Sequence, residues 1–475
     1  MSQKTKDMTR GPVMKQVLLF SLPFLIGNVF QQLYNIADMV IVGRTLGPEA
    51  YAAVGATGSL IWFASGAIQS LTVGFSVIAA QYFGAGEKER IKEAFGASIL
   101  LSSIISVALA VICVIFARPI LVLLRTPDEL LERSYRYVVW IFAGLIATAL
   151  YNLLSNMIRS LGDSRTPLYF LVIACLINIL LDFVFILLCG MDTDGAGLAT
   201  ILAQLISGIL CIFYIKWKHP MLHIGLRHLR WNGMMNRRLL HVAVPMAFLN
   251  MVLSIGSVVM QFVTNGLGTV YVASQTTGSK IETFVTMPIL SFGSAVSVFA
   301  AQNYGAKRYD RVLEGSRKTA LACFVWNIIA TLIMVPFGVG IIRLLAGDVG
   351  EVIVSNAYKF IVLNTALTFI LTPLVVWKSV LQAVGRTTWT MISGFTEIVG
   401  RAGVAILVLA LTAWTATVGD DLGFTVMCFA NPMAWLLGLL TILGDYVGMK
   451  RKFKKLMKTN REDGEAPSAD QPSES

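Results

Sequence analysis

The sequence predicts an all-α polytopic membrane protein, with twelve transmembrane helices in two pseudo-symmetric six-helix lobes around a central cleft. Three observations predict it. Of the 475 residues, 56% are hydrophobic and only 14% charged, against about 25% charged in an ordinary soluble domain. Long apolar runs recur along the whole chain, each able to cross a hydrocarbon core of ~30 Å at about 1.5 Å per residue. A motif in the first half returns in the second, as SVIAAQYFGAGEKER from Ser76 and SVFAAQNYGAKRYDR from Ser297. So apolar a chain lacks the polar surface of a soluble enzyme, a nucleic-acid binder or a disordered scaffold. The net charge of +11 is therefore read through membrane topology.

The runs follow in order. The first, 15–43, comes after Lys4, Lys6, Arg10 and Lys15, and is too long for a cleavable signal peptide, with Gln31, Gln32 and Asn35 in its second half. The second, 52–82, lies between Arg44 and the cluster Lys88, Arg90, Lys92. The third, 94–117, stops at Arg118; Arg125, Arg133 and Arg136 lead into the fourth, 134–160, which closes on Arg159 and Arg165. The fifth, 166–190, and sixth, 195–216, are separated by Asp192 and Asp194. A basic linker, 217–237, precedes the seventh, 238–265, and the eighth, 273–304. Lys307, Arg308, Arg311, Arg317 and Lys318 introduce the ninth, 316–346, which contains Arg343. Lys359 sits just inside the tenth, 354–384; Arg386 precedes the eleventh, 388–415; Asp420 precedes and Asp421 opens the twelfth, 421–448. Pro23, Pro245, Pro288 and Pro373 lie inside runs and are candidate kinks.

Positive charge collects in alternate connections, from the N-terminus through the linker to the run Lys450, Arg451, Lys452, Lys454, Lys455, Lys458, Arg461. The positive-inside rule then places both termini in the cytoplasm of a cell-membrane protein, as an even number of spans requires. The expected organisation is a cytoplasmic N-terminus (1–14), an N-lobe (15–216), the linker (217–237), a C-lobe (238–448) and a basic tail (449–475) that is disordered from about Thr459. The two motif copies share SVxAAQxxGAxxxxR at an offset of 221, and Pro23 and Asn28 match Pro245 and Asn250 at nearly the same offset. Six spans per half make the repeat parallel, a layout that transporters use for alternating access.

Polar residues inside apolar runs carry the functional signal. Asn28, Gln31, Asn35 and Asp38 step by 3, 4 and 3 along one helical face. A buried carboxylate costs about 2.5–3.5 kcal/mol on insertion scales, and desolvation disfavours its bare anion, so Asp38 suits a proton or a cation. A second reading places Asp38 at the outer boundary, in water. Asn178 and Asp182, and Thr200 and Gln204, are i, i+4 pairs whose oxygens are hard ligands. Asp38 and Asp182 either form one coupled pair or make two separate packing contacts. The seventh run repeats the stripe as Asn250, Ser254, Ser257 and Gln261 without the acid, Met260 standing in the place of Asp38. Any ion site is therefore expected in the N-terminal half alone. Gln31, Asn35, Gln204, Asn250, Ser254 and Glu282 are candidates to line a substrate cleft, although Glu282 is also placed to lie at the outer end of its span. Glu397 and Arg401, at i, i+4, read as a structural ion pair or, alternatively, a substrate contact.

No GxxxxGK[ST], HExxH or GxSxG occurs, so neither ATP hydrolysis nor a protease or esterase is indicated, and the chain is not expected to be an enzyme. The six cysteines show no CxxC spacing and read as small hydrophobes. His219, His223, His228 and His241 sit in or beside the linker and read as solvated.

QQLYNIADMVIVGRTLG at Gln31, RSLGDSRTP at Arg159, NILLDFVFI at Asn178, GAGLATILAQ at Gly195, SKIETFVTMP at Ser279 and the twin AAQxxGA motifs resemble the multidrug and toxic compound extrusion (MATE) family. The resemblance runs from about Leu18 to Gly448. It implies two lobes of six helices that open alternately, exporting organic cations and other toxic compounds against inward H⁺ or Na⁺. It implies that Asp38, Asn178, Asp182 and Thr200 form the ion or proton site. Some relatives add an acid in the seventh span; none lies between His241 and Gly268 here, which favours coupling in the N-lobe. The expected partners are small-molecule drugs and the lipid bilayer, with no nucleic acid, no obligate protein and no cofactor beyond the coupling ion. The alternative is a flippase for lipids or lipid-linked oligosaccharides; its cleft would need strong positive charge, whereas the inward residues named above are mostly neutral or acidic.

Overall fold

The computed structural model describes residues 7–124, 126–347, 350–414 and 419–462. Lys4, Lys6, Arg125, the side chains of Asp420 and Arg461, and the tail beyond Glu462 lie outside the described residues. Among the described residues the chain is helical, without strands. In the first half α1 is Val13–Leu46, α2 Pro48–Gly84, α3 Lys88–Leu123, α4 Asp128–Ala143, α5 Leu145–Ser160, α6 Arg165–Asp182 and α7 Thr193–Lys218. In the second half α8 is Gly233–Leu267, α9 Thr269–Gly305, α10 Tyr309–Ala346, α11 Glu351–Ala383, α12 Thr388–Trp414, α13 Gly419–Met427 and α14 Ala430–Glu462. Among the described residues eleven helical stretches are long and apolar enough to cross a membrane, or twelve when the bent pair α4 and α5 is counted as one span.

The repeat is written into the helix ends. Both ends of α2, Pro48 and Gly84, recur 221 positions on as Thr269 and Gly305 in α9, and Lys88 at the start of α3 recurs as Tyr309 in α10. The break recorded inside a span falls at Gly144, where α4 and α5 bend by 45°. A Cβ on Gly144 would lie 2.2 Å from Cγ1 of Ile201 on α7, so the neighbour's close approach shapes the bend. Pro23, Pro245, Pro288 and Pro373, expected as kinks, lie in uninterrupted helices. At the other end of the chain, α14 runs through the basic stretch Lys450–Lys458 and on to Glu462, so the first four residues of the segment expected to be disordered from Thr459 are helical.

The chain divides into two compact units. The first holds Leu19–Asn250 with the residues up to Thr9 and Ala301–Lys307; the second holds Arg10–Leu18, Met251–Ala300 and the chain from Arg308 on. The boundary therefore falls inside α8 rather than in the linker. The cause is close packing of the first half of α8 on α2. Arg238 donates to the Tyr82 hydroxyl at 2.7 Å and to Gln81 Oε1 at 3.2 Å, and a Cβ on Gly74 would lie 2.4 Å from Ala243 Cα.

Within this first unit the repeated motif forms a backbone crossing. A Cβ on Gly84 would lie 1.8 Å from the carbonyl oxygen of Gln302, and one on Gly305 would lie 1.8 Å from that of Gln81. Each copy of AAQxxG thus supplies a glycine to the other copy's glutamine. The Gln302 amide also donates to Ser160 O at 2.8 Å and accepts the Met8 N–H at 3.1 Å.

The RSLGDSRTP segment is a helix start. Gly162 takes φ +87°, the left-handed region that glycine enters without strain. Asp163 Oδ1 then accepts the N–H groups of Arg165 and Thr166, both at 3.1 Å, capping α6.

Two of the four histidines expected to be solvated, His223 and His241, are exposed, whereas the other two anchor the linker. His219 is 4% exposed and His228 8%. His228 Nε2 lies 2.9 Å from Glu89 Oε1, and a Cβ on Gly96 of α3 would meet the His228 carbonyl at 2.2 Å. The His219 ring meets Tyr214 edge-on at 5.2 Å, and its Nε2 lies 3.9 Å from Asp163 Oδ2. Burial pulls the His219 pKa below the ordinary histidine value; the Asp163 carboxylate works against this and His223 adds to it. The unfolded chain therefore binds more protons, and the contribution of neutral, buried His219 is present above a pH of about 6.5 and lost below it. Amide exchange across the linker, corrected for intrinsic rates, is expected to accelerate between about pH 7.5 and about pH 5.5. His219→Gln should flatten that dependence; equal protection across the window in the native protein would rule it out.

Candidate functional site

Three helices of the first unit bring the polar residues of the N-terminal half together. Asp38 lies on α1, Asn178 and Asp182 on the last turn of α6, and Thr200 on α7. All three acidic and amide groups are buried, with 6% exposure at Asp38, 1% at Asn178 and none at Asp182. The reading of Asp38 as a solvated boundary residue is therefore overturned.

Local structure explains the placement. Asp182 ends the α-helical part of α6, and Phe183–Leu188 continues as a π-helix, a widened turn that often marks a functional site. The GAGLATILAQ segment seats α7 against α4: a Cβ on Gly197 would lie 2.9 Å from Tyr137 O. The start of α7 is pinned by Arg133, whose Nε donates to Asp192 at 2.9 Å and whose Nη1 donates to Glu49 at 3.1 Å. Thr193 adds a bond from Oγ1 to Arg133 O at 2.7 Å.

At the centre, Thr200 Oγ1 donates to Ala196 O at 3.1 Å, so its oxygen is left to accept. It lies 3.1 Å from the Tyr34 hydroxyl and 3.4 Å from Asn178 Nδ2. The carboxyl groups of Asp38 and Asp182 come within hydrogen-bonding reach of each other, making one pair rather than two separate contacts. Carboxylates only accept hydrogen bonds, so two neighbouring buried carboxyl groups gain from a proton on one of them or a cation beside them. Asp38 Oδ1, both oxygens of Asp182 and Asn178 Oδ1 are buried without a donor among the described residues. Among the described residues no ion pair to either carboxyl group is found, and the influences on each are burial and the other carboxyl group. Buried acceptors in excess of donors, with no counter-charge, make an arrangement that gains from H⁺ or from a hard cation.

Sequence reasoning missed two members. Tyr34 stands one helical turn before Asp38, inside a motif already quoted, and that i, i+4 spacing could have found it. Tyr137 on α4 lies in electrostatic reach of Asp38 and Asp182, and nothing along the chain points to it.

The other candidates do not join this cluster. Gln31 and Asn35 are exposed on α1. Gln204 lies one turn beyond Thr200, its Oε1 buried without a donor. Asn250 donates to Ser70 Oγ at 3.0 Å, and its Oδ1 is where a Gly66 Cβ would come within 2.9 Å, a helix-packing role. Ser254 is half-buried on α8 in the second unit. Glu282 is half-buried and accepts from Asn431 Nδ2 at 3.3 Å inside that unit. The expected Glu397–Arg401 pair is replaced. Glu397 pairs with Lys378 at 2.6 Å, and Arg401 Nε turns to Asn431 Oδ1 at 3.3 Å. Tertiary partners from α11 and α14 outcompete the in-helix spacing, and Lys378 was the charge inside the tenth run that the sequence reading passed over.

The MatE family model matches residues 23–184 and again 245–407. The chain belongs to the MatE family. The two matches fall one in each half, with the spacing of the internal repeat. Among relatives of this MatE chain, the Bacillus subtilis protein named Probable multidrug resistance protein YoeA is 28% identical over 465 residues, covering 95% of this chain and 98% of that one. A Shewanella oneidensis protein named FAD transporter is 26% identical over 310 residues, 63% of this chain and 67% of that one. A solved structure described as the outward-facing conformation of a multidrug resistance MATE family transporter of the MOP superfamily superposes with a TM-score of 0.85 at 22% identity, covering 95% of this chain and 99% of that one. That likeness shows the twelve-helix, two-lobe fold.

Proposed function

We propose that this MatE protein is a secondary active multidrug efflux transporter, exporting organic cations and other toxic compounds by antiport with H⁺ or Na⁺. The observation that carries the reading is the Asp38–Asp182 pair, buried carboxyl oxygens that lack a donor and an ion-pair partner among the described residues. The names of the relatives and the family membership support the transport class.

In the proposed cycle, an ion arriving from outside neutralises the pair. Neutralisation removes the repulsion between the carboxyl groups and changes how α1 packs on α6 and α7. Drug affinity falls and the drug leaves outward. The ion then leaves to the cytoplasm, where both termini are placed by the loop charges. One inward charge contributes about 2.3 kcal/mol per 100 mV, enough for modest uphill export.

The test is efflux of a cationic dye from proteoliposomes, driven separately by an inward Na⁺ gradient and an inward pH gradient. Efflux under one gradient names the ion. Absence of efflux under both would overturn the reading.

A further inference from the structure

A second polar feature lies wholly within the second unit. Gln261 on α8 and Gln275, Thr276, Ser279, Lys280 and Thr283 on α9 line a groove of about 300 Å³. Lys280 is exposed into this groove, eleven residues and about 16 Å from the start of α9, a helix long and apolar enough to cross a membrane. It has no ion pair or hydrogen bond among the described residues. The nearest acid along the helix, Glu282, is engaged elsewhere: Asn431 donates to it at 3.3 Å and Arg401 lies in electrostatic reach. Glu397, the other acid of this region, is held by Lys378 at 2.6 Å. The ammonium of Lys280 is thus left uncompensated among neutral hydroxyl and amide groups. Unpaired charges at membrane depth are costly, face water-filled cavities and mark ligand pathways. An ammonium with hydroxyl and amide neighbours matches an oxyanion and repels an organic cation.

We propose that Lys280 and the groups around it bind the carboxylate or phosphate of an amphipathic organic anion or zwitterion. This substrate class extends the antiport reading, on which it rests, beyond organic cations. The anionic group belongs to a solute; the headgroup of an anionic phospholipid offers the same chemistry, and the test separates them.

The experiment measures fluorescence anisotropy of carboxyfluorescein with the purified full-length protein in phosphatidylcholine nanodiscs, without an ion gradient. The native protein should bind the dye. Lys280→Gln should weaken binding about tenfold or more, the loss of one charge-assisted contact, while Lys280→Arg retains it. Rhodamine 6G, a cation, should bind Lys280→Gln at least as tightly as the native protein, which also reports that the variant is folded. If the variant does not fold, the native protein decides alone: the methyl ester of carboxyfluorescein should bind more weakly than the free acid. No binding by the native protein, equal affinity in Lys280→Gln, or equal affinity for acid and ester would overturn the proposal. Displacement of the dye on adding phosphatidylglycerol to the discs would assign the site to a lipid headgroup and overturn the solute assignment; unchanged binding supports it. Binding needs no gradient, so its failure leaves the antiport reading intact, and failure of antiport leaves the binding result standing.

Discussion

Asp38→Asn is expected to reduce ion-driven dye efflux to the passive leak while the protein still folds and inserts. Asp38 is 6% exposed, its carboxyl group is coupled to that of Asp182, and among the described residues neither has an ion-pair partner. Hydrogen bonds to charged groups contribute about 1.5–3 kcal/mol each, so loss of one carboxylate lowers ion affinity roughly tenfold or more. Folding should survive, because the amide is of similar size and can donate to the Asp182 oxygens that have no donor among the described residues. The readout is the initial rate of efflux in proteoliposomes, with counter-flow of the dye at zero gradient as the control for an intact binding site. Asp182→Asn should behave alike, and the double variant should be no worse than either single one, since both remove the same coupled site. Efflux by Asp38→Asn at the native rate would refute the mechanism.

The second large effect concerns packing. Gly84→Ala and Gly305→Ala each place a methyl group 1.8 Å from a backbone carbonyl oxygen, far inside van der Waals contact. Backbone cannot swing aside as a flexible side chain does, so the two helices must part. Overpacking of this kind costs about 1–3 kcal/mol and occasionally more, and here the upper end or beyond is expected. Each single variant should lower the apparent melting temperature in detergent. The double variant should cost less than the two added together, because helices already parted by one methyl accommodate the second. Gly58→Ala is the control: a Cβ there meets nothing within 4 Å, and alanine inside a helix is favoured over glycine by up to about 1 kcal/mol. A melting temperature for Gly84→Ala equal to that of Gly58→Ala would show that the crossing contributes nothing.

These two predictions rest on different kinds of legibility. The acid at Asp38 was visible along the chain, because a carboxylate in an apolar run is costly wherever its partners lie. The motif around Gly84 was visible as a repeat, but its physical meaning was not, since nothing local says that one copy packs on the other. The residues that correct the reading share this character. Glu397 and Arg401 have ideal in-helix spacing, yet Lys378 and Asn431 claim them from other helices. Asn250 stands in a polar stripe equivalent to that of Asn28, yet it packs on Gly66 and Ser70. His219 and His228 lie in a charged linker, yet the linker folds back on α3 and α7.

The sequence by itself determined the spans, their number, the duplication and the residues whose burial needs a reason. Those follow from transfer free energy and helical period, which are properties of a residue and its near neighbours in the chain. The tertiary structure alone decided which of those residues meet. It joined Asp38 to Asp182, added Tyr34 and Tyr137, gave Glu282 to Asn431 and left Lys280 without an acid among the described residues. Helix packing sets such partnerships through shape and close approach between segments far apart in sequence, and no local pattern encodes them.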